Sequence, residues 1–197
     1  MERLEIDQSN ESLAFKNDND NLANIYKDYI KCKDKLLLID YFSVTDYLYL
    51  LIEICQLLNY RKDSLIFLAA AVSDFYLPAE ETAEHKIQSN QSDCLNLVLK
   101  PVPKLIGFLR TAVCPDAFIV SFKLETDEKL LIKKAKESIL TNGHDLVIGN
   151  VLSLRKEQVI FVGVSANPEV VNRNTEFIEE EIITKTIEIY QKKRRSF

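Results

Sequence analysis

The sequence predicts an α/β protein with a three-layer, Rossmann-like fold: a mostly parallel sheet, helices on both faces, and a flap or hairpin excursion. Three observations carry that prediction. Leu65 to Val72 is a continuous apolar run, the pattern of a strand covered on both faces, and its polarity flips at Ser73 and Asp74. Short apolar runs of this kind alternate along the chain with segments of helical periodicity, the order expected of strands joined by crossover helices. Finally, the stretch from Pro78 to Ser89 leaves the sheet as a polar loop, acidic at Glu80, Glu81 and Glu84, and arrives at His85-Lys86 as a lid would.

Taken in order, residues 1–18 are polar with few apolar anchors and are expected to be disordered, leaving 19–197 as one α/β domain. Leu22, Ile25, Tyr26 and Tyr29 recur at three and four and mark a helix from Asn19. Lys35 to Asp40 (KLLLID) reads as a short buried strand. Ser43 and Asp46 make a capping-box pattern ahead of Tyr47 to Leu58, a largely buried helix. With Leu65 to Val72 behind it, this is a right-handed βαβ unit.

Beyond the lid, Cys94 to Leu99 alternates as a strand and pairs in a hairpin with the segment around Lys86 to Ser89. Pro103 stands where a helix can begin, with Leu105, Phe108, Leu109 and Val113 as its inner face and Pro115 closing it. Ala117 to Phe122 is a strand and Asp127 to Leu140 a helix. His144 to Asn150 and Gln158 to Gly163 are strands, and Thr175 to Lys193 is an amphipathic helix running from acidic to basic, as the helix dipole favours.

Composition narrows the function classes. The chain has 197 residues, 47% hydrophobic and 28% charged, an ordinary globular mix. A net charge of −5, with one dense basic run at Lys192 to Arg195, argues against a nucleic-acid partner. No apolar run approaches the eighteen or so residues of a membrane span, and Met1 is followed by a polar stretch rather than a signal core, so a cytoplasmic protein is expected. The four cysteines lack any CxxC pairing and read as reduced thiols. Two histidines among scattered thiols give neither a zinc site nor a base for a nucleophilic cysteine.

Three strand ends carry residues unusual for simple turns: Ser73 and Asp74; Phe122, Lys123 and Glu125; Gly149 and Asn150. Neighbouring strands would bring them into one crevice, where open α/β sheets bind ligands. Ala69, Ala70 and Ala71 leave room for close approach. Lys136 borders the apolar stripe of its helix and either snorkels to water or points toward a bound phosphate. There is no GxGxxG and no GxxxxGK[ST], and Gly occurs at four positions only.

The runs AAAVSDFYLP (Ala69 to Pro78), EHKIQS (Glu84 to Ser89), VPKL (Val102 to Leu105) and SFKLETD (Ser121 to Asp127), in this order, closely resemble the eukaryotic phosphopantothenate–cysteine ligases. The resemblance covers about residues 20 to 195. It implies a two-step ligation in coenzyme A biosynthesis: the carboxylate of 4'-phosphopantothenate attacks the nucleotide α-phosphate, and the amine of L-cysteine then displaces AMP from the acyl nucleotide. Lys86 matches the family's catalytic lysine. Ala69, Ala70, Ala71, Asp74, Phe122 and Lys136 match nucleotide contacts, and Asn150 a substrate contact. Pro101, Val102, Pro103 and Lys104 replace a base-reading loop of the bacterial relatives and follow the eukaryotic pattern, which implies ATP rather than CTP. Magnesium with the nucleotide and a homodimer are also implied. Family members carry a further amino-terminal part with a Gly-Gly-Thr turn and an Asn-x-Ser-Ser-Gly segment, and Met1 here falls beyond it. Two other readings stay open: a catalytically impaired or non-catalytic homologue that keeps fold and dimer surface, and another Rossmann-like nucleotide enzyme, such as a reductase binding flavin or NAD(P).

Overall fold

The computed structural model describes residues 4–7, 12–15, 21–61, 63–82, 85, 96–164 and 167–195. The chain divides into two compact units, Met1–Tyr41 and Phe42–Phe197.

In the first unit, within the stretch read as disordered, strands β1 (Leu4–Asp7) and β2 (Ser12–Phe15) pair antiparallel with Leu4 opposite Phe15. Helix α1 (Asn21–Cys32) follows where the periodicity places it, and a 3-10 turn (Lys33–Lys35) ends it. The strand expected at Lys35 to Asp40 does not form. Residues 36–40 have no regular structure, and Leu37 and Leu38 are 80% and 78% exposed. An apolar run becomes a strand only beside a neighbour that takes its backbone hydrogen bonds, and no described strand pairs with this one.

The second unit opens with α2 (Val44–Leu58), started by the predicted capping box: Ser43 Oγ accepts from Asp46 N at 3.1 Å and the Asp46 carboxylate accepts from Ser43 N at 3.0 Å. That hydrogen bonding holds the Asp46 carboxyl below the usual range. The helix is amphipathic rather than largely buried. Leu51, Cys55 and Leu58 face the core, while Tyr49 and Leu57 face solvent.

The elements that follow are β3 (Leu65–Leu68), β4 (Phe75–Tyr76), a 3-10 turn (Ala79–Glu81), β5 (Lys100–Pro101) and α3 (Ile106–Phe108), which widens into a π turn (Leu109–Val113). Then come β6 (Phe118–Glu125), α4 (Glu128–Asn142), β7 (Leu146–Val151), β8 (Gln158–Gly163), β9 (Glu169–Asn172) and α5 (Ile178–Arg194). The main sheet has the order β3-β6-β7-β8-β9. β3, β6 and β7 are parallel neighbours, and β8 is antiparallel to both β7 and β9. Four of the five strands therefore point the same way, the mostly parallel sheet that the alternation of strands and helices predicts.

Several elements differ from expectation. β3 ends at Leu68 and lies at the sheet edge, pairing among described residues only with β6. Its apolar character still has a cause, because Ile66 and Leu68 pack under α2 and the π turn while Phe67 joins the opposite face. The βαβ units among the described residues are therefore β3–α3–β6 and β6–α4–β7, and none is built on residues 35–40. The helix after Pro103 begins three residues later, at Ile106. Its wider winding, with Cys114 N bonded to Leu109 O at 2.8 Å, buries Leu109 and Val113 but leaves Phe108 exposed. Residues 96–99 have no regular structure. The excursion is instead anchored where Phe75 pairs with Pro101 and Tyr76 with Lys100; the expected partner around Lys86 lies outside the described residues. Strand β9 has no counterpart in the sequence reading.

Both faces of the sheet are covered. Ile178 and Ile182 of α5 pack on Phe118, Val120, Leu146, Ile148, Val159 and Phe161. On the other face α2 and the π turn cover Ile66 and Ile119, and α4 covers Val147, Val151, Ile160 and Val162. Gly149 lets α4 approach, since a Cβ there would stand 2.7 Å from Leu131 Cδ2. Arg110 ties the amino-terminal ends of the strands. Its Nε donates to Gly143 O at 2.8 Å and its Nη1 to Ala117 O at 3.0 Å, while its Nη2 pairs with buried Asp145. Asp145 also accepts from Ile119 N at 2.7 Å and pairs with Lys193 of α5.

Candidate functional site

Above β6, between α2 and α4, the carboxyl ends of β3 and β6 open into a cavity of about 280 Å³. Its rim is built from the segment that leaves β3 and the one that follows β5. Ser73 Oγ accepts from Phe75 N at 3.3 Å and donates to Phe75 O at 2.7 Å, which fixes the turn after the alanines. Asp74 O accepts from Val102 N at 2.9 Å, extending the β4–β5 ladder and holding Val102, Pro103 and Lys104 beside Asp74. Lys123 completes the rim from β6.

Of the predicted nucleotide residues, Ala70, Asp74, Phe122, Val102, Pro103 and Lys104 line the cavity. Ala69 and Ala71 flank Ala70 on an exposed segment, and Pro101 is in β5. Lys136 is on the exposed side of α4 and does not line the cavity. Lys86 lies outside the described residues.

Strand alternation decides which way the side chains at these strand ends turn, including that of Phe122, which borders the cavity. Phe122 shares a face with Ile148, toward α5, and its ring meets Phe67 edge to face at 5.2 Å. Asn150, opposite Leu124 and two residues after Ile148, belongs to that same face. Its Oδ1 is buried and has no hydrogen-bond partner among the described residues. Gly149 serves the packing of α4 rather than the cavity. Glu125 is bound by Lys134 at 2.8 Å and by Lys123 at 3.3 Å, and chiefly the Lys134 hydrogen bond holds its carboxyl below the usual range.

At the deep end lies a polar chain that the sequence reading does not single out. Ser121 Oγ stands 2.6 Å from His144 Nδ1, His144 Nε2 is 3.1 Å from Ser138 Oγ, and Asn142 Nδ2 donates to Ser138 Oγ at 3.2 Å. Ser121 and His144 are 6% and 4% exposed. Burial, helped by the Arg110 charge, pushes the imidazole down to about 4, so it is neutral at pH 7. The only sequence signal was a hydroxyl at an inward position of an apolar strand.

Two of the thiols, Cys55 and Cys114, do not line the cavity. Cys55 and Cys114 are buried side by side under α2, and burial pushes Cys55 up to about 12 and raises Cys114. Among the described residues no three His, Cys, Asp or Glu side chains form a metal-binding group, and no helix is long and apolar enough to cross a membrane.

Comparison with known proteins now adds to this geometry. Residues 51–187 match the model of the DNA/pantothenate metabolism flavoprotein C-terminal domain. The chain is 39% identical over 156 residues to phosphopantothenate–cysteine ligase CAB2 of Saccharomyces cerevisiae, covering 70% of this chain and 42% of that protein. It is 40% identical over 157 residues to the human phosphopantothenate–cysteine ligase, covering 79% and 48%. A solved structure of a Cab2 variant in complex with phosphopantothenate-cysteine superposes with a TM-score of 0.75 at 39% identity, covering 86% of this chain and 57% of that one. The chain thus spans about half the length of the curated relatives it matches. A match over more than half its residues, together with this identity, decides the family: the chain belongs to the DNA/pantothenate metabolism flavoprotein C-terminal domain family, alongside the eukaryotic phosphopantothenate–cysteine ligases.

Proposed function

We propose that this chain provides the nucleotide-binding part of a phosphopantothenate–cysteine ligase that uses ATP in preference to CTP. The observation that carries the reading is the cavity at the ends of β3 and β6, where the Asp74–Val102 hydrogen bond holds a lysine-bearing segment beside an acidic strand end. In the reaction the carboxylate of 4'-phosphopantothenate attacks the α-phosphorus, a C–O–P bond forms and pyrophosphate leaves. The amine of L-cysteine then attacks the acyl carbon, an amide forms and AMP leaves. Both steps gather negative charge on oxygen, so fixed cations at the rim are the main requirement. Lys104 supplies one and Lys123, which is shared with Glu125 at 3.3 Å, a second, and Lys86 on the flap is the proposed catalytic cation. Asp74 holds the ribose or base, and the free acceptor Asn150 Oδ1 takes a donor from substrate. Lys136, exposed on α4, is a nucleotide contact only if another segment brings phosphate to it.

Magnesium accompanies the nucleotide phosphates in this reading. The described residues offer it no group of three His, Cys, Asp or Glu side chains. A homodimer working in the cytoplasm completes the proposal.

The test is pyrophosphate release with phosphopantothenate, cysteine and either ATP or CTP, measured on this chain alone and with the amino-terminal half of a relative added. Turnover that needs both substrates supports the ligase. Its absence in both preparations rejects the enzyme reading in favour of a non-catalytic homologue.

A further inference from the structure

We infer that Ser121 is a nucleotide-positioning residue, held by His144 so that its hydroxyl hydrogen points into the cavity and donates to an acceptor atom of the nucleotide base. The inference rests on the nucleotide reading of the cavity and follows from a proton count along the buried chain. Asn142 Nδ2 donates to Ser138 Oγ. Hydroxyls elsewhere on these helices give their hydrogen to the carbonyl four residues back, as Thr141 does to Glu137 O and Thr111 to Gly107 O. Ser138 makes no such bond; besides Asn142 its partner is His144 Nε2 at 3.1 Å, and the Ser138 hydrogen is assigned to that nitrogen. A neutral imidazole carries one proton, so that proton sits on Nδ1 and is donated to Ser121 Oγ. The Ser121 hydrogen then has no acceptor among the described residues, and Ser121 lines the cavity.

Charge decides which part of the ligand goes deep. The cations Lys104 and Lys123 are at the rim, whereas the deep end offers Ser121, Ser138, Asn142 and a neutral His144 between apolar walls from Leu51, Leu68 and Val147. A triphosphate has no counter-charge there, whereas a planar, uncharged base needs none and fits polar groups set between apolar walls. At about 280 Å³ the cavity is at the small end for ligand pockets and takes part of a nucleotide rather than the whole.

The experiment combines 15N NMR of the His144 ring in the ligand-free chain with calorimetric titration of ATP and, separately, 4'-phosphopantothenate into wild type, Ser121→Ala and Ser138→Ala. The expected result is an Nδ1–H tautomer in wild type, an ATP affinity lowered about tenfold in Ser121→Ala, and unchanged phosphopantothenate affinity. Ser138→Ala, which removes the group that sets the tautomer, is expected to mix the two ring forms and weaken ATP less. An Nε2–H tautomer, or ATP affinity equal in wild type and Ser121→Ala, overturns the inference while leaving the nucleotide reading intact. Failure of wild type to bind ATP, alone or with a relative's amino-terminal half, overturns both.

Discussion

Acid unfolding provides the sharpest test of the buried polar chain. His144 is 4% exposed, and its imidazole titrates at about 4 in the fold against 6.5 for an ordinary histidine, first because of burial and then because of the Arg110 charge, with Asp145 opposing. A group with a depressed pKa is neutral in the fold at pH values where the unfolded chain already holds its proton. Stability is therefore intact above pH 6.5, declines as the pH falls, and by about pH 4 has lost about 3 kcal/mol to this one residue. Urea titrations of wild type and His144→Gln from pH 7 to pH 4 isolate the effect, because the carboxylates Asp46 and Glu125, whose pKa values are also lowered, contribute equally to both proteins. Wild type is expected to lose about 3 kcal/mol more than the variant across that window. Parallel stability curves would refute the reasoning: the imidazole would then be solvated or already charged in the fold, and no directed hydrogen bond to Ser121 could be drawn from it.

Three further outcomes are expected. Gly149→Ala drives a Cβ to within 2.7 Å of the fully buried Leu131 side chain and is expected to cost about 1–3 kcal/mol, read as a lower urea midpoint at unchanged slope. A loss below about 0.5 kcal/mol would mean that α4 yields without strain. Asp145→Ala strips Arg110, Lys193 and Ile119 N of their shared acceptor and is expected to destabilise by about 3 kcal/mol, with Lys193→Ala milder because that ammonium is partly in water. Equal effects would disprove the central role given to the carboxylate. Lys86→Ala is expected to lower kcat about 100-fold with little change in the KM for ATP; equal loss in both would assign that lysine to binding alone.

Local signals and tertiary ones were legible to different degrees. The capping box at Ser43 and Asp46, the start of helix α4 at Asp127, and strand β8 could all be read directly, because neighbouring residues supply their hydrogen bonds or periodicity, while α4 runs on past the expected Leu140 to Asn142, where Gly143 with φ of 74° ends it. Position could not be read that way. Leu65 to Leu68 has the composition of a central strand and sits at an edge, and the equally apolar residues 36–39 form no strand and stay exposed, since composition records apolar character and not which segment lies alongside. The same limit governs the site. Asp74, Val102 and Lys104 are brought together by a ladder joining residues nearly thirty apart, and Phe122 and Asn150 are turned to the α5 face by a two-residue alternation that the resemblance does not address.

What the sequence alone determined was the alternation of strands and helices and the family. What only the tertiary structure decided was which side of the sheet each residue serves, and the Ser121–His144 pair at the cavity's deep end. Periodicity and capping act within a few residues along the chain, whereas strand order and shared faces come from contacts between distant segments.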